Sequence, residues 1–153
     1  MNIVPGIVEL SRDYPVPIRD VYAAWSSAEA MLAWSGMPDN WAMRCEAFAM
    51  ERGHEDRWVF GPKGADLYLN CNRYVTIESD RRIAYTTTLS HEGEMTFAGA
   101  VTVTFDAQDG GCRLSLVEAG VHLAGDDSQC HRDGWAGMLD ALGTYLAGNT
   151  AAS

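Results

Sequence analysis

The chain has 153 residues, of which 47% are apolar, and a net charge of −10 with Lys63 as its single lysine. That length supports one domain with a real core, and the apolar share excludes a disordered segment. The acidic balance repels phosphate backbones and anionic bilayers, and no apolar run approaches a membrane span, so nucleic acid and membrane are excluded as partners.

The opening residues, MNIVPGIVEL, have no basic start and no long apolar centre, so no signal peptide is expected. Residues 7–14, IVELSRDY, read as a strand, ended by Pro15 and Pro17. Pro17 suits the first turn of a helix, on which Ile18, Val21 and Trp25 recur at helical spacing. Ser26 and Glu29 have the spacing of a capping box and predict a second short helix carrying Met31, Leu32 and Trp34. Gly36 and Pro38 stop it.

From about Met43 to Glu118 the apolar period changes to two. Met43–Arg52, Asp56–Gly61, Leu67–Glu78, Arg82–Leu89, Thr96–Ala107 and Cys112–Glu118 read as strands, separated by short turns rich in glycine, aspartate and histidine. Connections this short require antiparallel neighbours. The third of these strands places Leu69, Cys71, Val75 and Ile77 on one parity, with Arg73 in phase. The fifth places Phe97, Gly99, Val101, Val103 and Phe105 together, and the sixth Cys112, Leu114, Leu116 and Glu118.

The last run, Asp126 to Gly148, reads as one long helix with Asp126 as its cap and Gln129 as capping-box partner. Trp135, Met138, Leu139, Leu142, Tyr145 and Leu146 form its apolar stripe, with His131 at the upper end. Beside it runs a stripe of small residues, Cys130, Gly134, Gly137, Ala141 and Gly148. The helix interior holds Gly134, Gly137 and Gly143, read either as tight packing on a sheet or as a thin wall beside a ligand or a partner helix. The tail Asn149–Ser153 is expected to fray.

The order strand, two short helices, six strands, long helix predicts an α+β helix-grip fold over residues 1–153: a curved antiparallel sheet wrapped around the C-terminal helix. Several phrases carry a resemblance: PVPIRDVYAAW (Pro15–Trp25), AMLAWSG (Ala30–Gly36), YVTIESDRRIAYT (Tyr74–Thr86), VTVTF (Val101–Phe105), RLSLVEAG (Arg113–Gly120) and GWAGMLDALGTYL (Gly134–Leu146). With them the chain resembles the SRPBCC superfamily of START-like domains. Within it, the chain looks most like the homologues of the activator of the ninety-kilodalton heat-shock protein ATPase. It departs from their pattern at Arg52-Gly53-His54, where a Gly-Gly is common, and at Cys112, where a threonine is common.

The resemblance implies a cavity between sheet and terminal helix that holds an apolar or amphipathic small molecule. Some members of the superfamily are cyclases or hydratases, and the heat-shock activator uses this domain to touch its chaperone, so an enzyme and a chaperone-interaction module stand as alternatives. No cofactor is implied.

The residues read as ligand-facing are Trp34, Met37, Trp41, Met43, Trp58, Tyr68, Arg73, Tyr85, Phe97, Val101, Leu116, Glu118, Trp135, Met138 and Leu142. Trp34, Met37, Trp41 and Met43 suit a lid or rim, because tryptophan and methionine bind varied apolar shapes. Arg73 and Glu118 break apolar parities. Either each lies at a strand end or a bulge and reaches water, or both face the cavity as a pair or as a ligand anchor, because an unpaired buried charge is costly. The inward placement is the one expected here. In an enzyme, Arg73, Glu118 or Tyr68 would polarise a carbonyl, and Asp13 and Asp56 are further acid–base candidates.

His122 and His131 flank the turn into the last helix near Glu118, which sketches a metal or acid–base cluster; solvated or capping histidines are the plainer reading. No CxxC or HExxH spacing supports a structural zinc, and no metal site is expected. Cys45, Cys71, Cys112 and Cys130 are expected to be reduced, mostly buried thiols of a cytoplasmic protein. The small stripe of the last helix and the sheet's edge strands leave room for a homodimer.

Overall fold

The computed structural model describes residues 3–152, with side chains through Asn149. Strand β1 (Val4–Tyr14) leads into helices α1 (Ile18–Trp25) and α2 (Ala28–Trp34). Strands β2 (Trp41–Ala47), β3 (Glu55–Pro62), β4 (Tyr68–Glu78), β5 (Arg82–His91), β6 (Glu94–Gln108) and β7 (Gly111–His122) follow, and helix α3 (Ser128–Ala152) ends the chain. The seven strands form one antiparallel sheet in the order β1-β7-β6-β5-β4-β3-β2. This is the helix-grip arrangement that the element order predicts. Helix α3 runs past Asn149 to Ala152, beyond the point of expected fraying, and Ser153 lies outside the described residues.

Both helix caps fall one residue later than their sequence signatures. Ser27, not Ser26, starts α2, its hydroxyl accepting the Ala30 N–H at 3.2 Å. Ser26 instead donates back to the Ala23 carbonyl at 3.2 Å. At α3 the carboxylate of Asp127 accepts the Cys130 N–H at 2.7 Å, and this bond holds its pKa below the usual aspartate value. The expected cap, Asp126, is thereby free to point elsewhere.

The inner face of the sheet packs on the helices. Tyr14, Val103, Phe105, Cys112, Leu114 and Leu116 from the strands meet Val21, Trp25 and Trp34 from α1 and α2, and Leu139, Leu142 and Leu146 from α3. Tyr14 ties the layers together: its buried hydroxyl donates to the Leu139 carbonyl at 2.7 Å. Burial pushes that phenol's pKa well up, which keeps it a donor.

The parity expected for β4 is reversed by a bulge. Pairing with β5 runs in register through Tyr74↔Tyr85 and resumes at Thr76↔Ala84, so Val75 is the extra residue. Asn70, Asn72 and Tyr74 therefore face inward before the bulge and Ile77 after it, while Arg73 and Val75 are exposed on the outer face. The inward reading of Leu69, Cys71, Arg73, Val75 and Ile77 needs an unbroken strand; the other reading, a bulge that lets Arg73 reach water, is the one found here. Arg73 does not face the interior: it donates to the Gly53 carbonyl at 2.8 Å and pairs with Glu55 at 3.6 Å. The expected Arg73–Glu118 pair does not exist.

Glycines crease the sheet. Gly6, Gly120 and Gly99 lie side by side on β1, β7 and β6. A Cβ on Gly99 would stand 2.3 Å from the Ala119 carbonyl oxygen, and one on Gly120 2.3 Å from that of Ala98. The backbones approach too closely for any side chain, and a Cβ on either glycine would also stand 2.9 Å from the Phe97 ring. The thiols are all free, with Cys112 buried, Cys45 and Cys71 half-buried, and Cys130 exposed rather than buried.

Helix glycines divide into two kinds. Nothing lies within 4 Å of a Cβ built on Gly134 or Gly137, whereas one on Gly143 would meet the Tyr14 ring at 3.3 Å. Tight packing on the sheet thus accounts for Gly143 and not for the other two. Gly134→Ala and Gly137→Ala should each stabilise by about 0.5–1 kcal/mol, and Gly143→Ala should give no gain. Urea midpoints of the three variants check this.

Candidate functional site

Antiparallel strands bring the start of β2, the end of β3, the start of β4, the end of β5, the start of β6 and the end of β7 to one end of the sheet. On the inner face of that end stands a ladder of rings, one per strand. Trp41 and Phe60 lie 6.4 Å apart between centroids, Phe60 and Tyr68 5.5 Å, and Tyr68 and His91 4.3 Å, all within 25° of parallel. Register places Phe60 opposite Tyr68 and Tyr68 opposite His91. All four rings are half-buried. Since the ring faces are spent on one another, the ladder offers its edges to anything that lies across it, the geometry of a T-shaped aromatic contact.

Deeper along the same face is a row of polar side chains. The Asn70 and Asn72 amides bond each other reciprocally at 3.1 Å, and Asn70 also donates to the Thr87 hydroxyl oxygen at 3.0 Å. The Thr87 hydroxyl keeps its own proton to donate. Beyond it, buried Asp56 accepts the Ala49 N–H at 2.9 Å and a short hydrogen bond from the Tyr74 hydroxyl. Burial raises the Asp56 pKa against these two bonds. Burial, and then the bond to Asp56, keep Tyr74 protonated, and burial does the same for Tyr85.

Across the crease, at the junction of β7 and α3, a second group closes the same end. The carboxylate of Glu118 accepts from Trp135 Nε1 at 2.9 Å and from His131 Nδ1 at 2.6 Å. The other ring nitrogen of His131 lies 2.7 Å from Asp126 Oδ2, which also meets His122 Nδ1 at 2.6 Å. A carboxylate can only accept, so His131, held between two of them, must donate from both nitrogens as an imidazolium. Burial works against that charge, but the pull of Glu118 and Asp126 outweighs it and raises the His131 pKa. Phe97 rests against both histidine rings, at 4.7 and 4.6 Å. A Cβ on Gly6 would stand 2.8 Å from His122 Nε2, so only glycine there leaves room for this ring.

Residues 15–147 match the model of the family described as activator of Hsp90 ATPase homolog 1-like proteins. The chain belongs to that family. Its fold recurs in solved structures. A putative uncharacterised protein from Rhizobium leguminosarum superposes with a TM-score of 0.84 at 24% identity, covering 95% of this chain and 97% of that one. A protein from Rhizobium loti gives 0.84 at 23% identity, covering 95% and 99%. One from Chromobacterium violaceum gives 0.80 at 20% identity, covering 92% and 96%. At such identities the likeness is one of fold. No curated protein matches this chain. Among the described residues no helix is long and apolar enough to cross a membrane.

An activator-homologue-like fold is generally a ligand-binding domain, and the residues read as ligand-facing separate within it. Val101, Leu116 and Leu142 are 0–1% exposed, and with so little accessible surface they abut other side chains, not open space. Phe97, Trp34 and Trp58 are buried as well, Trp34 donating from its indole to the Ala24 carbonyl at 2.9 Å, so Trp34 is core and not lid. Tyr85 is buried beside Tyr74, their rings 5.8 Å apart. Met37, Trp41, Met43, Tyr68, Trp135 and Met138 remain half-buried. Glu118 faces inward as expected, but toward His131 and Trp135.

Sequence reasoning missed Phe60, His91, Asn70, Asn72, Thr87 and Asp126. Phe60 and His91 could have been found by folding the two hairpins about their turns, which sets them opposite Met43 and Tyr68. The paired aspartates Asp126-Asp127 held another signal, because a helix start needs only one of them as its cap.

Proposed function

We propose that this domain binds a neutral or cationic amphipathic small molecule at the open end of its inner face. The aromatic ladder of Trp41, Phe60, Tyr68 and His91 carries this reading: four half-buried rings lie side by side next to polar groups, whereas Val101 and Leu116 deeper on the same face, and Leu142 of α3, are closed. The apolar part of the ligand would lie across the ring edges, with Met43 beside it. Its polar part would reach the Thr87 hydroxyl and the Asn70–Asn72 amides. Arg73, the cation that would have suited an anionic ligand, is on the outer face, and the net charge of −10 disfavours anions further.

Nile red, a neutral polarity-sensitive dye, serves as the probe. A saturable rise in its fluorescence is expected, with affinity lowered about tenfold or more in Trp41→Ala and in Tyr68→Ala, consistent with the loss of one well-placed aromatic contact. Val75→Thr, on the outer face, should bind as the parent does. Equal affinity in all four proteins, or no saturable signal, would contradict the assignment.

A further inference from the structure

The side chains between β7 and α3 have a second capacity that hydrogen bonding does not exhaust. We propose that His122 Nδ1, Asp126 Oδ2 and His131 Nε2 form a binding site for a divalent transition metal, zinc above all. The three donor atoms lie within 4.8 Å of one another, on residues that are half-buried or buried. Two imidazoles and one carboxylate are a common ligand set for zinc when a fourth position is left to a water or a substrate atom.

The surroundings match what such a site requires. A ligating histidine usually gives its other ring N–H to a carboxylate, which fixes the tautomer and raises the ring's basicity. Here His131 presents Nε2 to the cluster and donates from Nδ1 to Glu118 at 2.6 Å. Glu118 is in turn held by the Trp135 indole at 2.9 Å. Phe97 screens the rings on one side. The caps explain how Asp126 comes to be a donor, since Asp127 takes over the helix start.

In the hydrogen-bonded state the donors stand 2.6 and 2.7 Å apart. A tetrahedron with zinc bonds of about 2.05 Å has edges of roughly 3.3 Å. Metal entry therefore displaces the proton on His122 Nδ1 and that on His131 Nε2 and spreads the donors by about 0.6–0.7 Å. Asp126 lies on the turn before α3, where such a shift is readily accommodated. This assignment is independent of the aromatic ladder.

The test is a calorimetric titration of the full chain with Zn²⁺ at pH 7.5, with millimolar Mg²⁺ present to occupy surface carboxylates. One equivalent should bind with a micromolar or tighter Kd. Co²⁺ should give the intense visible bands of a four-coordinate site. Asp126→Asn and His131→Gln should weaken binding a hundredfold or more. Glu118→Gln, which touches no metal, should weaken it about 10–100-fold. Cys130→Ser, in the exposed thiol nearby, should bind as the parent does. Circular dichroism of each variant separates loss of binding from loss of fold, and Zn²⁺ should raise the parent's Tm but not that of Asp126→Asn. A Kd weaker than about 1 mM, or one unchanged in Asp126→Asn and His131→Gln, overturns the proposal. So does a dependence on Cys130.

Discussion

Glu118→Leu should destabilise the protein by about 3–5 kcal/mol, the range found when one member of a buried charged pair is removed. The substitution strands two donors at once, Nδ1 of His131 and Nε1 of Trp135. Both contacts are part-buried, so water replaces the lost acceptor only in part. His131→Leu made together with it removes the stranded charge, so the double variant should recover much of the loss and show a coupling of at least about 1 kcal/mol. Glu118→Leu combined with Arg73→Met should instead be additive within about 0.5 kcal/mol, because Arg73 is on the outer face bonded to Gly53 and Glu55. Urea unfolding of the two cycles distinguishes these outcomes. Additivity between Glu118 and His131 would show that their contact carries no energy.

Trp135→Ala should cost a similar amount, about 3–5 kcal/mol, by a different route. Its ring stacks on Trp25 at 6.1 Å, Trp25 lies 5.1 Å from Trp34, and its indole N–H holds Glu118. Removing it opens a space between α1 and α3 and releases the carboxylate that orients His131. Trp41→Ala removes a ring of the ladder that is half-buried at an edge strand, and should cost less than about 1.5 kcal/mol. Equal shifts of the denaturant midpoint in the two variants would contradict the assignment of one ring to the core and the other to the ligand end.

The fold was legible because its signals are collective. A change of apolar period from 3.6 to two, the short turn sequences between the strands and a long amphipathic run agree with one another over many residues, and a slip of one residue at Ser26 or Asp126 does not disturb that agreement. The site depends on single positions, where the same slip matters. One extra residue at Val75 turned Arg73 outward and Asn70, Asn72 and Tyr74 inward, and no residue type in Arg73-Tyr74-Val75-Thr76 announces a bulge. Glu118 read correctly as inward, since β7 has no irregularity between Cys112 and His122. Its partner is legible only as the lesser reading: the sequence sets His131 near Glu118, but Arg73 is the partner expected, because nothing local says which charge a buried carboxylate will meet.

The pairing of β1 with β7 has a consequence for how the chain is made. Val4 lies opposite His122 and Tyr14 opposite Cys112, so the first strand must wait for the last. At roughly 5–20 residues per second, synthesis of the intervening stretch takes on the order of ten seconds. During it the β2–β6 meander can zip hairpin by hairpin as it leaves the ribosome, while β1 has no neighbour. The alternation of Val8 and Leu10 with Glu9, Ser11 and Asp13 leaves one side of the waiting strand polar, which guards it against pairing with another nascent chain. Closure of the sheet is thus a late, long-range event, and the pairing of β1 with β7 is the contact whose loop closure costs most chain entropy.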